Sequence, residues 1–192
     1  MVKYIGMVLA LAALGLWSVG SLASKDGGQD VELRHALERA PRVETQLITA
    51  VIEAKRVYSV GRNDMAKGAA RTQRAKLICD NFKTTNTTDW VGAIERVSTS
   101  ENGKGALALK IGDNLFLGTW NNRASDIGDQ TLIDPVSKIL KVASSLKAGQ
   151  LVRFSGSFVG SERDCFKESS VTLEASINQP QFIFRFSDLQ PL

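Results

Sequence analysis

The chain has 192 residues, of which 43% are hydrophobic and 23% are charged, and its formal net charge is +4. This composition is typical of a globular protein and excludes a disordered or low-complexity chain. The length suffices for one domain with a hydrophobic core and an appended segment, but not for two ordinary domains.

The excess positive charge lies in one segment. Residues 42–83 contain nine basic and four acidic residues, whereas residues 1–41 are neutral and residues 84–192 have a net charge of −1. Proteins that bind nucleic acid concentrate lysine and arginine on the binding surface. The near-neutral C-terminal part therefore argues against nucleic acid as its partner.

The first 24 residues have the layout of an export signal. Lys3 precedes an apolar run over residues 5–23, which ends in small residues suited to cleavage after Ala23. Because about 19 residues at ~1.5 Å each nearly span a ~30 Å bilayer core, a retained membrane anchor is the alternative to a cleaved signal peptide. Both predict an exported protein, periplasmic or anchored to the inner membrane facing the periplasm. A buried helix of a cytoplasmic protein is the remaining alternative.

The two cysteines, Cys79 and Cys165, are far apart in the sequence. Export favours a disulfide between them, which would close a loop of about 85 residues and stabilise the fold by roughly 4–5 kcal/mol in the chain-entropy model. Two buried free thiols are the alternative. A zinc site is not expected, because two cysteines and the distant His35 do not provide its ligand spacing.

Residues 25–83 are predicted to be helical. A short helix over residues 31–40 stops before Pro41, which begins a second helix that continues to residue 58. Apolar residues recur at helical spacing along the second helix, at Val43, Leu47, Ala50, Ala54 and Val57. This face would pack on the rest of the protein or, alternatively, on a second copy of the helix.

A third helix, capped by Asn63 or Asp64, includes the basic stretch 67–76. Lys67, Arg71 and Arg74 are spaced at i, i+4 and i+7 and align along one side. This cationic stripe could contact lipid headgroups, nucleic acid or an acidic partner. The alternative is an ordinary solvated helix face.

From Trp90 the hydrophobic period changes from 3.6 to 2, which predicts strands. The predicted strands cover residues 90–98, 106–111, 115–120, 150–159 and 169–175, with a closing piece over 182–188. A helix over residues 135–146, capped by Asp134, separates the third strand from the fourth. Gly149 ends this helix, and Gly156 stands where a small barrel must bend sharply.

This order predicts a mainly β fold with N-terminal helices, of the α+β class. We expect a helical segment (25–83) followed by an OB-fold-like, five-stranded Greek-key barrel (84–192). Six residues in phase on the inward faces of the strands should be buried: Leu107, Leu109, Val152, Phe154, Val171 and Phe184.

Three stretches carry a resemblance to a known family: "LKAGQLVRFSGSF" at 146–158, "WVGAIERV" at 90–97, and the helix that contains "NDM". Together, residues 58–189 resemble the bacterial OB-fold family called tRNA-anticodon-binding-like, many of whose members are exported proteins of unknown role. The resemblance implies nucleic-acid binding only by analogy of fold, and it supplies no catalytic residues.

The sequence offers little catalytic chemistry, so we expect no enzyme, metal or cofactor. The single histidine lies outside the barrel, and phosphate- and dinucleotide-binding glycine motifs are absent. An enzyme would need a site built from Asp, Glu, Ser and Lys alone. Asp126, Asp129 and Asp134 could approach a calcium ion, but they lack the EF-hand pattern and read as ordinary loop carboxylates.

The predicted function is a non-enzymatic envelope binding module that presents a barrel face and the 121–134 loop to a protein or small ligand. Trp120, Phe116 and Phe166 could stack against a ligand or fill the core. The alternative is a single-stranded nucleic-acid-binding protein that uses the basic 67–76 helix. Membrane association would come from residues 5–23, and the sequence leaves the oligomeric state open. The candidate binding residues are Lys67, Arg71, Arg74, Trp120, Asn121, Arg123 and Asp126.

Overall fold

The computed structural model describes residues 25–100 and 102–192, so the predicted signal peptide or anchor lies outside it. The described part begins with three helices: α1 (Lys25–Leu37), α2 (Arg42–Val60) and α3 (Asp64–Asn81). Asn63 caps α3, as predicted, and its side chain accepts a hydrogen bond from the backbone N–H of Ala66. Within residues 25–100 and 102–192, no helix is both long and apolar enough to cross a membrane.

Strands and three short helices make up the remainder. The strands are β1 (Asn86–Thr99), β2 (Gly105–Gly112), β3 (Leu115–Gly118), β4 (Leu151–Phe158), β5 (Gly160–Ser161), β6 (Cys165–Phe166) and β7 (Gln181–Pro191). The short helices are α4 (Arg123–Asp126), α5 (Lys138–Ala143) and α6 (Leu173–Asn178). The chain therefore belongs to the α+β class.

Five strands form one mixed sheet in the order β1-β2-β3-β7-β4, and β4 pairs again with β1, so the sheet closes into a barrel. Neighbouring strands are antiparallel except β3 and β7, which are parallel. The short pair β5–β6 forms a separate two-stranded sheet. At Gly156 a side chain would collide with the Arg185 carbonyl oxygen and the Phe184 ring, which explains the glycine in the middle of β4.

One hydrophobic core joins the barrel to α2 and α3. Of the predicted inward residues, Leu107, Leu109, Val152, Phe154 and Phe184 are buried, which confirms those five. Helix residues from α2 and α3 belong to the same cluster, among them Leu47, Ala50, Val51 and Ile78. The helical segment and the barrel are therefore packed together through apolar side chains.

The predicted strand over residues 169–175 is wrong. Val171 is 96% exposed, and Thr172 caps α6 by accepting a hydrogen bond from the backbone N–H of Ala175. The threonine thus starts a helix where β-branched residues had indicated a strand. The predicted closing piece forms β7, the fifth barrel strand along the chain, which lies between β3 and β4.

The predicted helix over residues 135–146 is shorter than expected. Its regular part, α5, is capped by Ser137 and not by Asp134. The Asp134 carboxylate instead accepts a hydrogen bond from the backbone N–H of Val136, which forms a local turn before the helix.

Candidate binding face of the barrel

The basic residues of α3 do not form the continuous cationic stripe that their spacing predicts. The Lys67 ammonium lies 5.3 Å from the centre of the Tyr58 ring. The Arg71 guanidinium donates two hydrogen bonds to the Asp164 carboxylate, at 3.1 and 2.7 Å. This hydrogen-bonded pairing with Asp164 raises the pKa of Arg71, which keeps the guanidinium charged.

Arg74 faces the interior of the protein and is only 1% exposed. Its Nη2 atom donates to Glu168 Oε1 at 2.7 Å and to Ser176 Oγ at 3.1 Å, and Nη1 donates to the Ser176 carbonyl oxygen. We call these residues the α3 network: Arg71, Arg74, Asp164, Glu168 and Ser176. Both arginines are paired with acidic residues inside the network. The predicted solvent-facing cationic stripe is therefore wrong at Arg71 and Arg74.

The two cysteines stand where the α3 network meets the barrel. Cys79, in the last turn of α3, forms a disulfide with Cys165 of β6, and their Cα atoms are 5.6 Å apart. This separation is ordinary for a disulfide. The predicted pairing is confirmed, and it fixes α3 to the segment between β4 and β7.

In the 121–134 loop, the acidic residues have structural partners. Asp126 is buried and accepts hydrogen bonds from the backbone N–H and hydroxyl of Thr131 and from the N–H of Leu132. Asp129 accepts hydrogen bonds from Trp120 Nε1 at 2.7 Å and from Lys167 Nζ at 2.7 Å. These carboxylates therefore hold the loop in one conformation.

Two opposing effects determine the pKa of Asp129 in this loop. Burial acts to raise the pKa of the carboxyl group, but hydrogen bonds from Lys167 and Trp120 outweigh it and keep the pKa below its usual value. Within the described residues, no group of three or more His, Cys, Asp or Glu could hold a metal ion. Of the predicted ligand contacts in the loop, Asn121 and Arg123 are exposed.

The outer face of β1, β2 and β3 carries a row of side chains that sequence patterns had not brought together. Ala93 pairs with Lys110, Lys110 pairs with Phe116, and Phe116 pairs with Gln181 of β7. Residues paired across a sheet share a face, so these four lie side by side. Phe116 is half-buried on this outer face, whereas Phe166 is buried in the core.

Helix α1 lies against this outer face. Leu33 is its one residue that is fully buried among those described, at 3% exposed, and Asp30 makes an ion pair with Lys110 at 2.5 Å. The side chain of Gln29 lies directly over Gly149, whose φ of +83° suits glycine and whose missing side chain leaves room for the glutamine. This explains the glycine before Gln150.

Two cavities flank α1. The first, of about 410 Å³, lies toward α2 and is lined by Leu37, Ile48 and Ile52. The second, of about 450 Å³, lies over the sheet and is lined by Ala93 and Phe116. Asp30, Leu33 and Lys110 line both cavities, so α1 separates two openings of ligand-binding size on one face.

No protein-family model matches this chain, and no curated protein matches it. The sequence signal for the outer face was the alternation in "ALALKI", which turns Lys110 away from the core. The sequence carried no signal that α1 would lie over this lysine, because the two residues of the ion pair are 80 positions apart.

A buried glutamate of α2 contacts β1, one of the three strands of this face. Glu44 of α2 is fully buried, and its carboxyl group accepts hydrogen bonds from the backbone N–H of Val91, at 3.0 and 3.2 Å. Burial raises the pKa of Glu44 to about 8, although the hydrogen bond from Val91 acts to lower it. Sequence periodicity did not single out Glu44.

Proposed function

We propose that this protein is a non-enzymatic binding module of the cell envelope, built on an OB-fold-like barrel. It holds a protein or small ligand on the outer face of β1, β2 and β3. The strand order and the position of α5 between β3 and β4 support an OB-fold. The resemblance of residues 58–189 to the tRNA-anticodon-binding-like family supports the same assignment.

The observation that carries this proposal is the row formed by Ala93, Lys110 and Phe116 beside an open cavity of about 450 Å³. OB-folds bind their ligands on the face of their second and third strands. The row combines a small residue, a cation and an aromatic ring, which provide space, charge and apolar contact.

The 121–134 loop extends this surface at the other end of β2. Ile133 bridges to Gly105, the first residue of β2, and Lys110 lies five residues further along. At about 3.3 Å per residue, the loop and Lys110 are roughly 17 Å apart. An elongated ligand that follows β2 would contact both Lys110 and the exposed side chains of Asn121 and Arg123.

Export is part of the proposal. The apolar segment over residues 5–23 supports a signal peptide or a membrane anchor, and the Cys79–Cys165 disulfide is consistent with an oxidising compartment. We place the binding module in the periplasm, free or attached to the inner membrane.

Single-stranded nucleic acid is the second candidate ligand, and one observation favours it. Lys110 and Phe116 are direct neighbours, and a cation beside a stacking ring is a recurring pattern in proteins that bind single strands. The internal pairing of Arg71 and Arg74 removes the cations that the sequence had offered for this role. A gel shift with single strands at about 50 mM salt that is lost on Phe116→Ala would favour this candidate.

The proposal is tested by placing a photo-crosslinking benzophenone side chain at position 116 in the full-length protein expressed in its own cell envelope. A matched control carries the same group at position 171, which is 96% exposed and lies in the connection before α6. We expect a discrete crosslinked species from position 116 only, and its loss on Lys110→Glu. Identical crosslinking patterns from both positions would overturn the proposal.

A further inference from the structure

The cavity between α1 and α2 differs in character from the one over the sheet. Its walls are the side chains of Leu33, Leu37, Ile48 and Ile52, all of which are aliphatic. Leu33 forms a buried floor, whereas Ile52 is 58% exposed at the opening. We call this cavity the α1–α2 groove. Its volume of about 410 Å³ lies within the roughly 300–1,000 Å³ of known ligand pockets.

The polar groups at the rim of the groove are mostly paired with one another. Lys110 forms an ion pair with Asp30, and Lys55 donates a hydrogen bond to the Asp113 carbonyl oxygen at 2.6 Å. A polar ligand would have to displace these partners. An apolar ligand would instead bury exposed aliphatic surface, which is favourable for every methylene group removed from water.

Arg34 is the exception at the rim. Its Nε atom donates to the backbone oxygen of Asp30 at 3.2 Å. Among the residues that the structure describes, no carboxylate lies within ion-pair distance of its guanidinium group. The other cation that lines the groove, Lys110, is already paired with Asp30, so Arg34 is the cation of the lining that is open to an anionic ligand.

We infer that the α1–α2 groove binds an unbranched fatty acid, with the aliphatic chain between α1 and α2 and the carboxylate at Arg34. A flexible unbranched chain suits a groove whose named walls are aliphatic, and a guanidinium group matches the geometry of a carboxylate. Phe116 does not line the groove, whereas Lys110 lines both this cavity and the one over the sheet, so the two proposed sites adjoin at Lys110.

The test is titration of laurate, a 12-carbon fatty acid, into the full chain, followed by calorimetry. Dodecanol and dodecyltrimethylammonium have the same chain with a neutral and a cationic head, and butyrate has the same head with a short chain. We expect saturable binding of laurate at least tenfold tighter than that of dodecyltrimethylammonium, and no detectable binding of butyrate. Absence of saturable laurate binding, or equal affinity for the cationic compound, would overturn the inference.

Two variants locate the site. Ile52→Asn should weaken laurate binding at least tenfold, whereas Val60→Asn should leave it unchanged, because Val60 is 66% exposed on the same helix but outside the groove. Arg34→Glu should weaken laurate binding at least tenfold and dodecanol binding less than twofold. Circular dichroism checks that each variant is folded. Equal affinities of the Ile52→Asn and Val60→Asn variants for laurate would contradict the assignment.

The laurate-binding and crosslinking experiments distinguish this inference from the proposed function. Phe116→Ala should leave laurate affinity unchanged, since Phe116 does not line the groove. Loss of crosslinking at position 116 with intact laurate binding would reject the proposed function and leave the groove assignment standing. An amphipathic peptide that binds the groove while laurate does not would reject the groove assignment alone.

Discussion

Helices α3 and α1 both pack against the barrel, but they are attached in different ways. Helix α3 is joined by the buried ion pair of Arg74, by the partly buried ion pair of Arg71 and by the Cys79–Cys165 disulfide. Helix α1 has Leu33 as its buried anchor and a partly exposed ion pair between Asp30 and Lys110. Helix α3 is fixed to the segment between β4 and β7 by several strong interactions, whereas α1 is attached to the barrel by few.

This difference in attachment indicates that α3 contributes to the stability of the fold, whereas the surface beside α1 serves binding. Regions with few buried contacts open at lower free-energy cost than regions tied to the core. Arg71 and Arg74 of α3 hold the fold through internal ion pairs, while the two cavities proposed as binding sites flank the weakly attached α1. A ligand larger than either cavity would gain access by displacing α1, not α3.

The largest effect is expected at the α3 network. Arg74→Ala leaves the buried Glu168 carboxylate without its closest cationic partner, so the free energy of unfolding should fall by about 3–5 kcal/mol. Urea denaturation measures the loss. The double variant R74M/E168L removes both charges and should recover much of it. A loss below about 1 kcal/mol for Arg74→Ala would remove the contrast between α3 and α1.

Removal of the disulfide should have the next largest effect. The double variant C79S/C165S opens a loop closed across 86 residues, and we expect a loss of about 2–5 kcal/mol in the free energy of unfolding. Urea denaturation of the native protein under oxidising and reducing conditions provides the control, since reduction should reproduce the effect. Unchanged stability in the variant would show that the disulfide does not contribute to the attachment of α3.

A change at Glu44 tests how α2, the helix between α1 and α3 in the chain, is attached to the barrel. The folded-state pKa of Glu44, about 8, lies above the ordinary value of 4.5 for a glutamate, so the native state binds the proton more tightly than the unfolded state. The contribution of Glu44 is therefore most favourable below about pH 4.5 and is lost as the pH rises toward 8. Glu44→Gln should match the native stability near pH 5 and exceed it near pH 9.

This prediction is checked by urea denaturation at both pH values. The matched control is Glu53→Gln, since Glu53 lies on the same helix and its pKa is lowered by a hydrogen bond from Arg56 and not raised. A constant difference between Glu44→Gln and native protein from pH 5 to pH 9 would show that Glu44 is already ionised in the fold.

The smallest effect on global stability is expected at α1. Asp30→Ala removes a partly exposed ion pair and should cost less than about 1 kcal/mol. Amide exchange within α1 should nevertheless become several-fold faster, while exchange in α3 stays the same. Asp80→Ala, which removes the exposed pair with Lys76 on α3, is the control. A cost above about 2 kcal/mol for Asp30→Ala would show that α1 is an integral part of the core.

The elements with strong local signals were predictable. Alternation identified the inward residues of β2 and β4, and the Asn63 cap marked the start of α3. The strand predicted around Val171 failed because a capping threonine outweighed β-propensity over a short window. The closing piece predicted after that strand forms β7, which pairs with β3 and β4.

The site was harder to predict because its contacts join distant parts of the chain. Arg71 and Arg74 look like a binding surface in sequence, but their acidic partners lie more than 90 residues away. Likewise, nothing near Lys110 indicates that α1 covers it. Helical spacing shows which side chains share a face, whereas the partner of that face depends on tertiary packing.

Native-state hydrogen exchange, followed by NMR on the full chain, tests the contrast between α1 and α3 most directly. We predict that the amides of α1 exchange through local opening, at a free energy well below that of global unfolding, whereas the buried amides of α3 around Arg74 exchange only with global unfolding. Protection of α1 equal to that of α3 would contradict the claim that the binding face lies beneath a weakly attached helix.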